Sequence, residues 1–206
     1  MVNFLILISK YTDITKKEID IGEISLSIYS LCSIIRECFC LSYSIRKENN
    51  LVIYFSSSKI LIKFEGNQLR FLGSDERSQA ILIEKALKKV NERSNLKWEN
   101  STPGIFTKKT ENQDSILYEL GDWINDRAIY IVNDKDTMEV ESLEKQISLK
   151  DFSYIIPSPN ISLDFTKFKY EFKNSKKQIK FVSLPKIKKI ENKVSFINFK
   201  IDQQKN

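Results

Sequence analysis

Two short clusters in this 206-residue chain combine residue types and spacing that suit chemistry. The first is Gly73-Ser74-Asp75-Glu76-Arg77, two carboxylates and a guanidinium in succession. Placed at the start of a helix, such acids either accept a proton from a substrate or cap the helix and match its dipole. Arg77 can hold a phosphate or a base edge, or form an intrahelical ion pair. The second is Trp98 followed by Ser101-Thr102-Pro103-Gly104-Ile105, which is either a plain turn or a shaped loop. Arg46, Lys47, Lys108 and Lys109 are candidate phosphate contacts, and each taken singly is equally an exposed cation.

What the chain lacks narrows the chemistry further. It has no histidine, which excludes Ser-His-Asp and Cys-His nucleophilic triads and metal sites built on imidazole. Its three cysteines, Cys32, Cys38 and Cys40, are odd in number and crowded into one stretch. They form neither a disulfide framework nor a zinc pair, and they read as apolar helix-face thiols of a reducing cytoplasm. No G-x-G-x-x-G and no G-x-x-x-x-G-K-[ST] occurs, so dinucleotide chemistry and nucleotide hydrolysis have no support. No apolar run approaches membrane-spanning length, and the short apolar start reads as a strand rather than a signal peptide. Neither a membrane nor a metal is expected as a partner.

Charge is unevenly placed. Residues 164–206 hold 12 Lys against 4 acidic residues, net +8, so the rest of this +6 chain sums to about −2. A basic C-terminal fifth favours a polyanion such as RNA, and a solvated lysine-rich surface explains it equally well.

The elements that must carry these residues alternate between strand and helix. Residues 2–9 are rich in Ile and Leu and read as a buried strand. Residues 12–23 read as a connection. Residues 24–41 place Ile28, Leu31, Cys32, Ile35 and Phe39 at helical spacing. Residues 51–55 and 60–64 form a hairpin around a serine-rich turn, and 68–72 add a short strand. Residues 74–90 are the clearest helix, capped by Ser74, with Asp75 and Glu76 in its first turn and Lys88 and Lys89 in its last. Residues 116–124 read as a short helix, and 128–132, 153–156 and 180–184 as strands. Ile190, Val194, Ile197 and Ile201 recur at helical intervals in a final helix. The class is therefore α/β, read as a single domain over residues 1–206.

The two clusters, in this order and spacing, resemble the archaeal tRNA pseudouridine-54 N1-methyltransferases of the SPOUT class. Ala80-Ile81 and Lys85-Ala86-Leu87-Lys88-Lys89 extend the likeness. So do Leu31-Cys32, Phe39, Leu41-Ser42, Ile45-Arg46 and Ile62-Lys63-Phe64-Glu65-Gly66. It is strong over residues 31–109 and alignable to residue 202. The resemblance implies a mostly parallel central sheet flanked by helices and a deep C-terminal trefoil knot within residues 128–202. It also implies a homodimer, S-adenosylmethionine as cofactor, tRNA as partner, and methyl transfer to N1 of a T-loop pseudouridine. Asp75 and Arg77 would be the catalytic pair. Val132, Pro157, Ser183, Leu184, Pro185, Lys186 and Lys193 would surround the cofactor. Arg46, Lys47, Arg77, Lys108 and Lys109 would touch RNA.

The likeness thins in the cofactor half. Where the family keeps a glycine-bearing loop, Tyr154-Ile155-Ile156 runs into Pro157-Ser158-Pro159-Asn160. Val182-Ser183-Leu184-Pro185 resembles the family's next loop, with the proline in register. Lys193 stands where the family has a cysteine, and an Arg-x-Asp of the family aligns with Ser27 and Tyr29. Three readings follow: a working tRNA methyltransferase with a divergent pocket, a non-catalytic RNA-binding paralogue, or, more remotely, a methyltransferase acting on another RNA or a small substrate.

Overall fold

The computed structural model describes residues 1–93, 96–111, 128–132, 140–142, 152–161 and 178–204. Among these, one mixed sheet of nine strands carries four helices, as the α/β reading expects. In chain order the elements are β1 (Val2–Ile8), α1 (Lys16–Asp20), α2 (Leu26–Phe39), β2 (Asn49–Phe55), β3 (Ile60–Glu65) and α3 (Glu76–Arg93). Then follow β4 (Glu99–Thr102), β5 (Ile105–Lys109), β6 (Ala128–Val132), β7 (Val140–Ser142), β8 (Ser153–Pro157), β9 (Gln178–Ser183) and α4 (Ile190–Gln203). The sheet order is β4-β5-β3-β2-β1-β8-β6-β9-β7. From β2 to β7 every neighbouring pair is parallel, while β2-β3, β3-β5 and β4-β5 are antiparallel.

The apolar run of β1 explains its central place. Phe4 and Ile6 join the core that includes buried residues of all four helices, and Leu5 and Leu7 join a second core on the other face. A strand buried on both faces needs no polar alternation. Each such side chain contributes about 1.5–3 kcal/mol by leaving water. Aromatic rings fix the register of the next two strands. Phe4 stacks on Tyr154 at 5.6 Å, and Tyr154 stacks on Tyr130 at 5.4 Å, in line across β1, β8 and β6. Burial pushes the Tyr154 phenol upward, so it stays neutral.

The final helix docks through polar as well as apolar groups. Asn49 Nδ2 donates to Cys38 O at 2.7 Å and to Asn198 Oδ1 at 3.0 Å, and Asn198 Nδ2 donates to Glu37 O at 2.8 Å. The end of α2, the start of β2 and the middle of α4 are thereby tied together. Val194, Ile197 and Ile201 are the buried side of α4, as their spacing predicts.

Four expectations change. The connection over residues 12–23 contains α1, held by a capping box in which Thr15 and Glu18 satisfy each other's amides. Residues 68–72 form no strand, because the Leu69 amide turns back to Glu65 O. Residues 99–109, read only as a break at Pro103-Gly104, form the hairpin β4-β5. Gly104 sits at φ +82°, and a Cβ there would meet Leu69 N at 2.5 Å, so both conformation and space require glycine. Lastly, α3 begins at Glu76, and the carboxylate of Asp75, not the hydroxyl of Ser74, accepts from the Ser78 amide. The helix expected over residues 116–124 lies outside the described residues.

Candidate active site and cofactor edge

The six parallel strands all point the same way, so their carboxyl ends form one edge of the sheet. In open α/β sheets, ligands sit in the crevice outside these ends, where the connections diverge. The chain leaves β8 on one side of β6 and re-enters the sheet at β9 on the other. Val132 closes β6 beside Val182 of β9, and Pro157 closes β8 beside Leu7. Ser183 ends β9 and runs into buried Leu184 and exposed Pro185 and Lys186. The structure thus brings six of the seven expected cofactor residues to one edge. Lys193, in the first turns of α4, is buried at 6% exposure.

The donors at this edge are few. Pro157 and Pro159 have no N–H, and the Ser158 amide is held by Leu7 O at 2.8 Å. The Ile161 amide returns to Ser158 O at 3.0 Å, which leaves Asn160 to offer an amide in that turn. After β9, Ile187 donates to Leu184 O at 2.9 Å, so the Lys186 amide is the next candidate. Val132 and Leu184 are buried in the apolar core at this edge, and Ser183, between Val182 and Leu184, is half-buried. The polar groups that could meet S-adenosylmethionine here are the Asn160 and Lys186 amides and the Ser183 hydroxyl. Lys186 also borders a groove of about 650 Å³ along α4, with Lys189, Phe196 and Phe199.

The expected catalytic pair lies elsewhere. Both oxygens of Asp75 accept from Ser78, from its amide at 2.8 Å and its hydroxyl at 2.8 Å. Those hydrogen bonds hold the exposed carboxyl below its ordinary range, which makes it a weak base. Glu76 is likewise held low, by its own backbone N–H and by Arg36, whose Nη1 lies 2.6 Å from Glu76 Oε1. Arg77 reaches back to α1, with Nη2 at 2.7 Å from Asp20 Oδ1, and stays exposed. Arg36, Asp20 and Ser78 were not anticipated. They come from separate elements, and only Ser78, three residues after Asp75, carries a sequence signal.

The basic candidates divide. Arg46 is committed to Asp202 through two hydrogen bonds and is largely covered. Lys108 is buried at 8% exposure with Nζ 5.1 Å from the Trp98 ring centroid, and Lys63 approaches the same ring at 4.8 Å. Trp98 therefore anchors a cation–π cluster on the strand face. Lys109 ends β5 half-buried, and Lys47 is exposed. The cysteines are free, and burial pushes the Cys32 thiol up to about 12, in keeping with an inert core role. Among the described residues no helix is long and apolar enough to cross a membrane.

Residues 1–151 match a family model described as "Putative SAM-dependent RNA methyltransferase", SAM being S-adenosylmethionine. Three relatives bear the name tRNA (pseudouridine(54)-N(1))-methyltransferase. That of Methanocaldococcus jannaschii is 31% identical over 120 residues, 54% of this chain and 57% of its own length. That of Methanococcus maripaludis is 33% identical over 126 residues, 57% of this chain and 60% of its own. That of Methanococcus aeolicus is 30% identical over 152 residues, 69% of each. The matched stretches thus span little more than half the length of the first two relatives. With the family model covering most of the chain, and a sheet whose strand ends gather the expected cofactor residues, this chain belongs to the SAM-dependent RNA methyltransferase family represented by these archaeal proteins.

Proposed function

We propose that the chain methylates N1 of pseudouridine 54 in the T-loop of tRNA, in the cytoplasm, with S-adenosylmethionine as donor. The observation that carries this reading is the gathering of the carboxyl ends of β8, β6 and β9 at the crossover beside β6. The cofactor supplies an activated methyl group on a cationic sulfonium. Val132 and Leu184 would flank its adenine, the Ser183 hydroxyl and the Asn160 and Lys186 amides would take its polar groups, and Pro157 and Pro185 would shape the turns. Catalysis then rests mainly on holding donor and acceptor in line. Arg77 and Lys47 would meet RNA phosphates. Asp75 would position Arg77 through the first turn of α3, and the proton leaving N1 would pass to water, because the Ser78 hydrogen bonds lower the basicity of that carboxylate. A trefoil knot through β6, β8 and β9 and a homodimer complete the reading, supported by the strand order and the family.

Calorimetric titration with S-adenosylmethionine, followed by mass spectrometry of tRNA incubated with both, tests this. We expect micromolar binding and one methyl group on the T-loop pseudouridine. Absence of binding at millimolar cofactor would overturn it. Pro157 at the end of β8 and Pro159 just after it favour one alternative, an RNA-binding paralogue without cofactor, which that same titration separates from the enzyme.

A further inference from the structure

The amino-terminal ends of β1 and β2 form the edge opposite the cofactor residues, and a second concavity opens there. It measures about 460 Å³ and lies between the loop joining α2 to β2 and the loop joining β3 to α3. Leu41, Tyr43 and Lys47 line it from the first loop, and Arg70, Leu72 and Ser74 from the second. The two loops are locked together below the surface. Gly66 packs so closely that a Cβ would lie 2.3 Å from Asn49 O and 2.7 Å from Arg46 O. Gln79 Nε2 bonds Gly73 O at 3.0 Å and touches Cys40 Sγ at 3.9 Å. The concavity is therefore built by two braced loops.

Its lining carries one sign of charge. Lys47 and Arg70 are exposed cations, no carboxylate lines the site, and neither cation has an ion-pair partner among the described residues. One aromatic ring of the lining is left bare by the fold, Tyr43 at 102% exposure, and Phe71, which follows Arg70 in the chain without lining the concavity, is 69% exposed. Cations that track a backbone, interleaved with free aromatic faces, make a stacking platform for single-stranded nucleic acid. The lining also holds apolar Leu41, Ile45, Leu69 and Leu72, but two cations with no carboxylate beside them favour a polyanion over a folded protein partner.

We infer that this concavity is a single-stranded RNA anchor, in which Tyr43 stacks a base and Lys47 and Arg70 hold the flanking phosphates, with exposed Phe71, next to Arg70 in the chain, stacking a neighbouring base. The site rests on the proposed action on RNA and adds to it an RNA contact distant from the reaction. The seven residues of β1 set the two edges about 20 Å apart at ~3.3 Å per residue. The anchored nucleotides are thus not the one that reacts.

The test is fluorescence polarisation of a short labelled single-stranded RNA of mixed sequence, with the whole chain and its Tyr43→Ala, Phe71→Ala and Lys47→Ala/Arg70→Ala variants. All four side chains are exposed, and thermal melts should show unchanged folding. Each aromatic loss should weaken binding about 5- to 150-fold, the range of one base–aromatic stack. Loss of both cations should reduce the salt slope by about 1.4, at ~0.7 per single-strand phosphate. If the unaltered chain binds this RNA and tRNA but the aromatic variants bind within twofold of it, the anchor is wrong and the proposed function stands. If the unaltered chain binds neither RNA, both fail. A change in sedimentation of Tyr43→Ala with RNA affinity intact would make the patch a protein contact and also overturn the anchor.

Discussion

Arg46 and Asp202 are 156 residues apart and share two hydrogen bonds, Nη1 to Oδ1 at 2.7 Å and Nη2 to Oδ2 at 2.6 Å. The pair clamps the last turn of α4 to the loop that enters β2. The hydrogen bonds it donates to the Asp202 carboxylate raise the Arg46 guanidinium's affinity for its proton, so it is charged at any working pH. Its side chain is 13% exposed, so losing the partner leaves a covered charge. Arg46→Ala or Asp202→Asn should each cost about 2 kcal/mol, and the double variant clearly less than their sum. Urea unfolding of the four proteins measures this. A fall in RNA affinity from Arg46→Ala with the urea midpoint unchanged would return Arg46 to the phosphate-contact role its sequence context suggests.

The cap of α3 gives a prediction with a sign in pH. The carboxyl of Asp75 is depressed in the folded chain by the Ser78 amide and hydroxyl. A depressed carboxyl stabilises the fold above its unfolded value and loses that contribution as pH falls through its folded value. The cap should therefore weaken only below about pH 4, the ordinary Asp range. Asp75→Ala should cost about 1 kcal/mol at neutral pH. Asp75→Asn should keep most of that and flatten the acid limb. Stability measured by urea between neutral and acid pH decides it: equal acid limbs for the unaltered chain and Asp75→Asn would remove the carboxylate from this role.

The elements built from local pattern were legible, and those built from long-range pairing were not. The runs of β1, β6 and β8 and the spacing of α2 and α4 carry their own period, so sequence alone placed them. Thr15 and Glu18 also spelled out a capping box, and α1 was missed only because five residues show no period. The β4-β5 hairpin depends on β3 accepting β5 along its free side, information that Pro103-Gly104 does not hold. The proposed cofactor edge is assembled from β6, β8 and β9, which do not follow one another directly in the chain, so only resemblance could group its residues. Arg46 looked like an RNA contact because its partner is a carboxylate 156 positions away.

Gly104 tests the tertiary part of the second motif. At φ +82° with Leu69 N in the way, Gly104→Ala should destabilise by roughly 1–3 kcal/mol. In a chain of this length that lowers Tm by about 3–10 °C. Melting by circular dichroism reports it. A Tm unchanged by the substitution would mean that the Pro103-Gly104 turn does not pack on the 68–72 loop as described.

Arg77 separates structure from function by the same logic in reverse. Its ion pair with Asp20 is solvent-exposed on both sides, 62% and 40%, and such pairs contribute at most about 1 kcal/mol. Asp20→Asn should therefore leave both stability and RNA methylation near those of the unaltered chain, while Arg77→Ala should leave stability alone and lower methylation at least tenfold. Equal, small effects from both substitutions would confine Arg77 to the surface of α1 and α3.

Lys193 is the residue through which the divergent cofactor half makes a quantitative prediction. It is buried in the early turns of α4, which follow the Leu184–Pro185 turn at the cofactor edge. S-adenosylmethionine carries a positive sulfur and its demethylated product a neutral one, so a nearby ammonium discriminates between them. Two like charges about 8 Å apart at an effective dielectric of about 20 oppose each other by roughly 2 kcal/mol, the most that an ammonium facing the sulfonium would impose. Lys193→Met keeps the length and removes the charge. It should tighten S-adenosylmethionine by about tenfold or more and leave S-adenosylhomocysteine within about twofold. Calorimetry with both ligands measures the ratio. If the two affinities move together, the ammonium of Lys193 points away from the sulfonium, and the substitution of lysine for the family's cysteine carries no electrostatic penalty.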